Sequence, residues 1–335
     1  MWGGWIRDDK GDSAPANDGA MYSPADGTWT SIPAAPINGQ GEALASWTGS
    51  DLFVLRESGG EDEPVEEDVP GLAAYSPAKG SWRTLPAGPL KGRSIGAATW
   101  TGSEWWIAAF SDDEGGAIGV AAYDPAADSW RDLPMVEGVV ANAESLLWTG
   151  SEMLLSTGDG LFSLPVDGAE WIPESFDGHE PMIWTGELLI GLRIDALSDP
   201  SLNNDFLVRP VAWDPSTRST VELPAPPRSA RIPVLADTHV MSFYDELALD
   251  LDAGEWMNLD VRRAARDAMD MEFSTMSWAG DRLFVWGGSD PCDHPPTYGD
   301  VFYELIPQWD AATAMRATFS QSVASGNAIG STFAC

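Results

Sequence analysis

The chain has 335 residues, 44% of them apolar, with 52 acidic against 18 basic side chains and a formal net charge of −34. That balance argues against nucleic acid or an anionic membrane as partner, because phosphate binding requires clustered Lys and Arg. It is compatible with a basic partner or a divalent cation. No apolar run reaches the roughly 18 residues that a spanning helix needs, so no membrane insertion is expected. Glycine (34) and proline (25) are abundant, as in an all-β fold with many turns, and 17 tryptophans supply large apolar side chains.

Residues 1–5 (MWGGW) match the second strand of a repeat, as does LFVWGG at 283–288. The chain therefore opens inside a repeat. Met1 is read as a start downstream of a missing signal, in a secreted or surface protein; a native Met1 implies the cytoplasm instead. Two motifs then alternate. One is an apolar stretch closing on Trp-Thr-Gly, a polar pair, and a second apolar stretch: 43–55, 96–110, 144–156, 181–192 and, with Ala for Thr, 275–288. The other is an aromatic residue, a Ser-Pro or Asp-Pro turn, and a tryptophan strand ending in Leu-Pro or Ile-Pro: 22–33, 75–86 and 123–134, with Thr220 in the tryptophan's place at 213–224. Weaker copies occupy 168–174 and 252–260.

Trp47, Trp100, Trp148 and Trp184 are spaced 53, 48 and 36 residues apart, the range of four-stranded propeller blades. Glycine suits the tight turn of the first motif, and proline presets φ in the second. Each repeat thus supplies four strands, with tryptophans filling the space between neighbouring sheets. Trp105 and Trp106, being adjacent, are expected to face opposite sides of one strand, both in the core.

The paired motifs resemble the Kelch-repeat family in its bacterial form, over residues 1–306. The Gly-Gly pair of that family stands at Gly3-Gly4, Gly287-Gly288 and Gly59-Gly60. The resemblance implies an all-β fold, a β-propeller of four-stranded antiparallel blades. Seven blades is the simplest count and six the alternative. Residues 307–335 leave the pattern and form either a closing strand, for which ATAMRATF (312–319) is the candidate, or a tail. Cys292 and Cys335 are expected to pair across the closing repeat.

Function is sought in the loops. The insert 57–71 carries Glu57, Glu61, Asp62, Glu63, Glu66, Glu67 and Asp68, without the alternating ligands of a calcium loop. It reads as a solvated acidic loop, as does 111–116. Cys292, Asp293 and His294 are adjacent, but zinc or copper needs three or four ligands, and the chain has only His179, His239 and His294. No cofactor and no metal site is therefore expected. Arg93, Arg228 and Arg231 follow outer strands, where the resemblance places arginine toward a channel mouth; together with His179 and His294 they are the candidate ligand-binding residues. Phosphate loops, Cys-x-x-Cys pairs and Gly-x-Ser-x-Gly elbows are lacking.

These features favour a monomeric, non-catalytic binding scaffold that holds a protein or glycan partner at one mouth. The alternatives are an isomerase- or lyase-like enzyme acting on a small polar substrate there, and a metal-containing propeller oxidase.

Overall fold

Two kinds of hairpin loop generate the strands, and each repeats its own hydrogen bonding. In the Trp-Thr-Gly loops, Thr48, Thr101, Thr149 and Thr185 use Oγ1 twice. It accepts from the backbone N–H three residues on and donates to the carbonyl of that same residue, at 2.9–3.1 Å. The next residue, Gly49, Gly102, Gly150 or Gly186, has φ of 96–102°, which a side chain rarely tolerates. Two of the Pro loops are closed by Asx turns: Asp124 Oδ1 accepts from Ala126 N (2.8 Å), and Asp214 Oδ1 from Ser216 N (2.7 Å). The fifth residue of each Pro loop is left-handed: Gly27 and Gly80, but also Asp128 (φ 51°) and Arg218 (φ 52°); so is Gly254 in the loop 250–254, which has no proline.

The computed structural model describes residues 2–3, 5–7, 13–37, 43–56, 71–90, 93–110, 117–139, 142–196, 206–228, 230, 233–242, 247–260, 275–279, 282–286, 289–290, 297–298, 301–306, 315–316 and 318–323. They fall in two units, Met1–Glu174 and Ser175–Cys335.

In the first unit, β1 (Trp5–Arg7) pairs with β2 (Ser13–Pro15), and β3 (Gly19–Ser23) pairs with β4 (Thr28–Ile32). A bridge from Trp2 to Gly19 links the two hairpins. Three antiparallel sheets follow, each in sequence order. The first is β5 (Ala43–Trp47), β6 (Leu52–Arg56), β7 (Gly71–Ser76) and β8 (Ser81–Thr84). The second is β9 (Ser94–Trp100), β10 (Trp105–Phe110), β11 (Ala117–Asp124) and β12 (Ser129–Asp132), with β13 (Val136–Glu137) added at the start of β11. The third is β14 (Ala143–Trp148), β15 (Glu152–Thr157), β16 (Gly160–Pro165) and β17 (Ile172–Pro173).

The second unit repeats the plan. One sheet is β18 (His179–Trp184), β19 (Leu189–Ala196), β20 (Phe206–Asp214) and β21 (Ser219–Val221). The next is β22 (Pro233–Ala236), β23 (His239–Ser242), β24 (Leu247–Asp250) and β25 (Glu255–Asp260). Here a two-residue turn with Asp237 at φ 51° replaces Trp-Thr-Gly. The last sheet begins with β26 (Thr275–Ala279) and β27 (Arg282–Trp286); then come the short pair β28 (Ser289–Asp290) and β29 (Thr297–Tyr298), and β30 (Val301–Ile306). The C-terminal segment is split. β31 (Met315–Arg316) runs parallel to β25, and β32 (Thr318–Val323) takes the outer position beside β30. The described part of that outer strand thus begins at Thr318, within the second half of 312–319. No helix long and apolar enough to cross a membrane is present among the described residues.

Within three of the Pro-loop hairpins an aromatic pair faces across the strands. Tyr22–Trp29, Tyr75–Trp82 and Tyr123–Trp130 are directly opposed, with ring centroids at 4.9, 5.1 and 5.2 Å. The outer indole then reaches the preceding sheet. Trp82 Nε1 donates to Pro33 O (2.7 Å), Trp130 to Pro86 O, Trp171 to Pro134 O and, in the second unit, Trp256 to Pro224 O (2.8 Å each). The acceptor is always the proline of Leu-Pro or Ile-Pro. Thr220 has no indole to donate.

Sheet faces pack through two large clusters. Trp105, wholly buried, joins Phe53, Leu55, Ile107 and Tyr123 between the β5–β8 and β9–β12 sheets. Its neighbour Trp106 joins Ile118, Leu146, Met153 and Leu155 on the opposite face. The adjacent tryptophans do lie on opposite sides of β10, as the period of two requires. Inner strands approach closely enough that a Cβ on Gly96 would stand 2.1 Å from Ala143 O. Gly96→Ala is expected to lower unfolding stability by about 1–3 kcal/mol or more through overpacking, measured by denaturant titration. Trp130→Phe, which keeps the ring but leaves Pro86 O unpaired, should cost about 1–2 kcal/mol by the same measurement.

Candidate functional site

Register puts different chemistry at the two ends of each inner hairpin. In the β5–β6 hairpin, Trp47 pairs with Leu52 beside the loop and Arg56 pairs with Ala43 at the far end. Four residues of strand separate these ends by about 13 Å.

The loop end carries the tryptophans. Trp100 packs edge-on against Phe53 of the preceding sheet, with centroids at 5.9 Å, and Trp148 packs against the β9–β17 core cluster. Trp47 differs: it is 54% exposed. The N-terminal segment supplies Trp2, Ala35 and Ile37 to the Val54–Ala73 face, but places no ring against Trp47 among the described residues. Beside it, Ser50 Oγ donates to Asp51 Oδ2 at 3.2 Å. A large apolar ring is thus open to solvent, four residues before a carboxylate in the same hairpin loop. The sequence pattern placed all the repeated tryptophans between sheets, and no local signal separated Trp47 from the rest.

The far end carries arginines. Arg93 Nη1 donates to Ala117 O (2.9 Å), and its guanidinium lies against Gly119, so it braces the start of β11. Arg228 is exposed and donates from both terminal nitrogens to Asn258 Oδ1 (3.4 Å each). His179 is exposed at the head of β18, paired with Leu192. Arg231, His294, Cys292, Cys335 and both acidic inserts lie outside the described residues. Arg93 and Arg228 are thus each held by a neighbour within their own unit.

Arg56 was not singled out by sequence. It is 1% exposed, its Nε and Nη2 are buried without a hydrogen-bond partner, and its Cζ stands 5.2 Å from the Trp2 ring centroid. Burial lowers its pKa from the usual value. The available signal was an arginine closing the apolar run LFVLR.

Other ionisable groups are tied structurally. Arg131 donates through Nε and Nη2 to both oxygens of Glu104 (2.8 and 2.6 Å), and Trp106 Nε1 adds a third bond to that carboxylate (3.1 Å). Arg193 pairs with Asp177 (3.2 Å) and Glu222 (2.8 Å), and Arg209 shares Glu222 (2.8 Å). His239 is buried 3.8 Å from Asp250; desolvation lowers its pKa and the neighbouring carboxylates oppose that shift. No group of three His, Cys, Asp or Glu suited to a metal ion occurs among the described residues.

The hydrogen bonds from Arg131 hold the Glu104 carboxyl below its ordinary pKa. A depressed carboxylate adds stability above its unfolded pKa and loses it as pH falls through the folded value. Glu104→Gln should therefore flatten the acid limb of a stability–pH curve below about pH 4.5, with the change kept modest by the half-exposed Arg131.

No family model and no curated protein matches the chain. Among solved structures it is similar to the periplasmic gluconolactonase PpgL of Pseudomonas aeruginosa, with a TM-score of 0.51, 11% identity, and coverage of 98% of this chain and 97% of that one. It is also similar to TolB from Acinetobacter baumannii, with a TM-score of 0.44, 10% identity, and coverage of 85% and 60%. Identities this low speak to the fold alone. The chain is a β-propeller built of four-stranded antiparallel blades.

Proposed function

We propose that this propeller is a non-catalytic binding scaffold of the Kelch type, which holds a protein or glycan partner at the Trp-Thr-Gly end of its blades. The observation that carries the reading is Trp47, a 54% exposed indole on a rigid strand end where its repeat equivalents are packed. Exposed aromatic rings on fixed scaffolds are the side chains most often found as binding anchors. The adjoining Asp51 carboxylate and Ser50 hydroxyl supply polar contacts. The ionisable pairs described above brace strands, which also suits a scaffold.

On this reading the ring has seven blades, with the two N-terminal hairpins in the seventh. The propeller proper spans 1–306, and 307–335 close it. A location outside the cytoplasm goes with it; the gluconolactonase of similar fold is a periplasmic protein.

The test is a screen of the full chain on immobilised glycans and on a displayed peptide library, repeated with Trp47→Ala. The variant should keep its unfolding midpoint and lose more than about 1 kcal/mol of affinity for the selected glycan or peptide, as an aromatic anchor does. Unchanged affinity would move the site away from Trp47. Turnover of a small lactone or sugar acid by the purified chain would replace the scaffold reading with an enzymatic one.

A further inference from the structure

A guanidinium buried with open donors is costly, since a buried donor left without a partner carries its full desolvation penalty. Arg56 is such a group. Its two orphaned nitrogens, Nε and Nη2, are not an arbitrary pair. They are the two donors on one side of the guanidinium plane, whose parallel N–H bonds match the two oxygens of a carboxylate.

The same protein shows what this fork accepts. One blade along, Arg131 uses Nε and Nη2 to hold both oxygens of Glu104. The repeat equivalent of Arg56 is Arg193, since each stands nine residues after its repeat tryptophan, Trp47 and Trp184. Arg193 is matched by Asp177 and Glu222. At Arg56 the described neighbours that the structure places around the side chain are small or aromatic instead. Ala43 and Gly71 flank it across the sheet, a Cβ on Gly3 would lie 3.7 Å from Nη2 and 3.8 Å from Ala16 O, and the Trp2 ring covers one face. No hydrogen bond or ion pair joins Arg56 to any described side chain. The cation–π contact with Trp2 offsets part of the burial cost, and the surplus of 34 negative charges favours keeping the group ionised. Neither satisfies the fork.

We infer that the Arg56 fork, buried beside Trp2, Gly3 and the β5–β8 blade, is a binding site for a small free carboxylate. Closure around Arg56 limits the ligand to a compact one, and the geometry favours a planar two-oxygen group over a spherical anion. The site lies at the opposite end of the hairpin from Trp47, so it stands independently of the scaffold reading.

The experiment is thermal unfolding of the full chain at constant ionic strength, with sodium chloride replaced stepwise by sodium formate, then by acetate. A ligand that binds only the folded state raises the midpoint with its concentration. The wild type should show a formate-dependent rise that chloride does not reproduce. Arg56→Met should unfold at the same or a higher temperature in chloride, because an unmatched charge has been replaced by an apolar chain, and should show no formate response. Arg56→Lys, which keeps the charge without the fork, should respond at least tenfold more weakly. Arg131→Met, altered where Glu104 already fills the fork, should be less stable yet keep the full response. A formate response of equal size in Arg56→Met, an equal response to chloride in the wild type, or no response in the wild type would each overturn the assignment.

Discussion

The hydrogen bond from an outer-strand indole to the proline carbonyl of the preceding sheet organises each unit. A four-stranded sheet cannot cover its own two faces, so it must be held against a neighbour at a fixed offset. Dispersion between Trp, Leu and Ala side chains is strong but tolerates sliding. A directional bond of 2.7–2.8 Å does not. Proline suits the acceptor side because it has no N–H and ends the strand, which leaves its carbonyl free of the ladder.

That bond depends in turn on the loop before it. The turn, closed through Ser76 or Asp124, and its left-handed fifth residue bring the outer strand back in register, and this places Trp82 or Trp130 opposite its tyrosine. Where the loop residue departs from glycine, the aromatic partner changes with it. Tyr123 donates to Asp128 Oδ1 at 2.5 Å, whereas Arg218, at the same loop position, sits 5.9 Å from the Trp213 ring centroid. A hydrogen bond in one blade becomes a cation–π contact in another, and the hairpin survives the exchange.

Against this regular frame the departures from the repeat are informative. Among the described residues, Trp47 lacks the aromatic neighbour that packs Trp100, and Arg56 lacks the carboxylates that match Arg193. Both belong to the same inner hairpin, one at each end, and the chain before it forms two-stranded hairpins where later segments form four-stranded sheets.

The blade architecture was legible from local chemistry. Trp-Thr-Gly demands a hydroxyl and a left-handed glycine in adjacent positions, Tyr-x-Pro demands an Asx or Ser turn, and alternation sends Trp105 and Trp106 to opposite faces. These are short-range requirements that the sequence by itself determined. The candidate site residues were not legible in the same way. Arg93, Arg228 and His179 carry suitable chemistry, yet Arg93 bonds a backbone carbonyl and Arg228 bonds the Asn258 side chain. Only the tertiary structure decided that Trp47 is exposed and that the Arg56 fork is buried without a partner among the described residues. Both properties depend on what the neighbouring sheet presents, and residues adjacent in space there are more than 50 positions apart in the chain, as Trp2 and Gly3 are from Arg56.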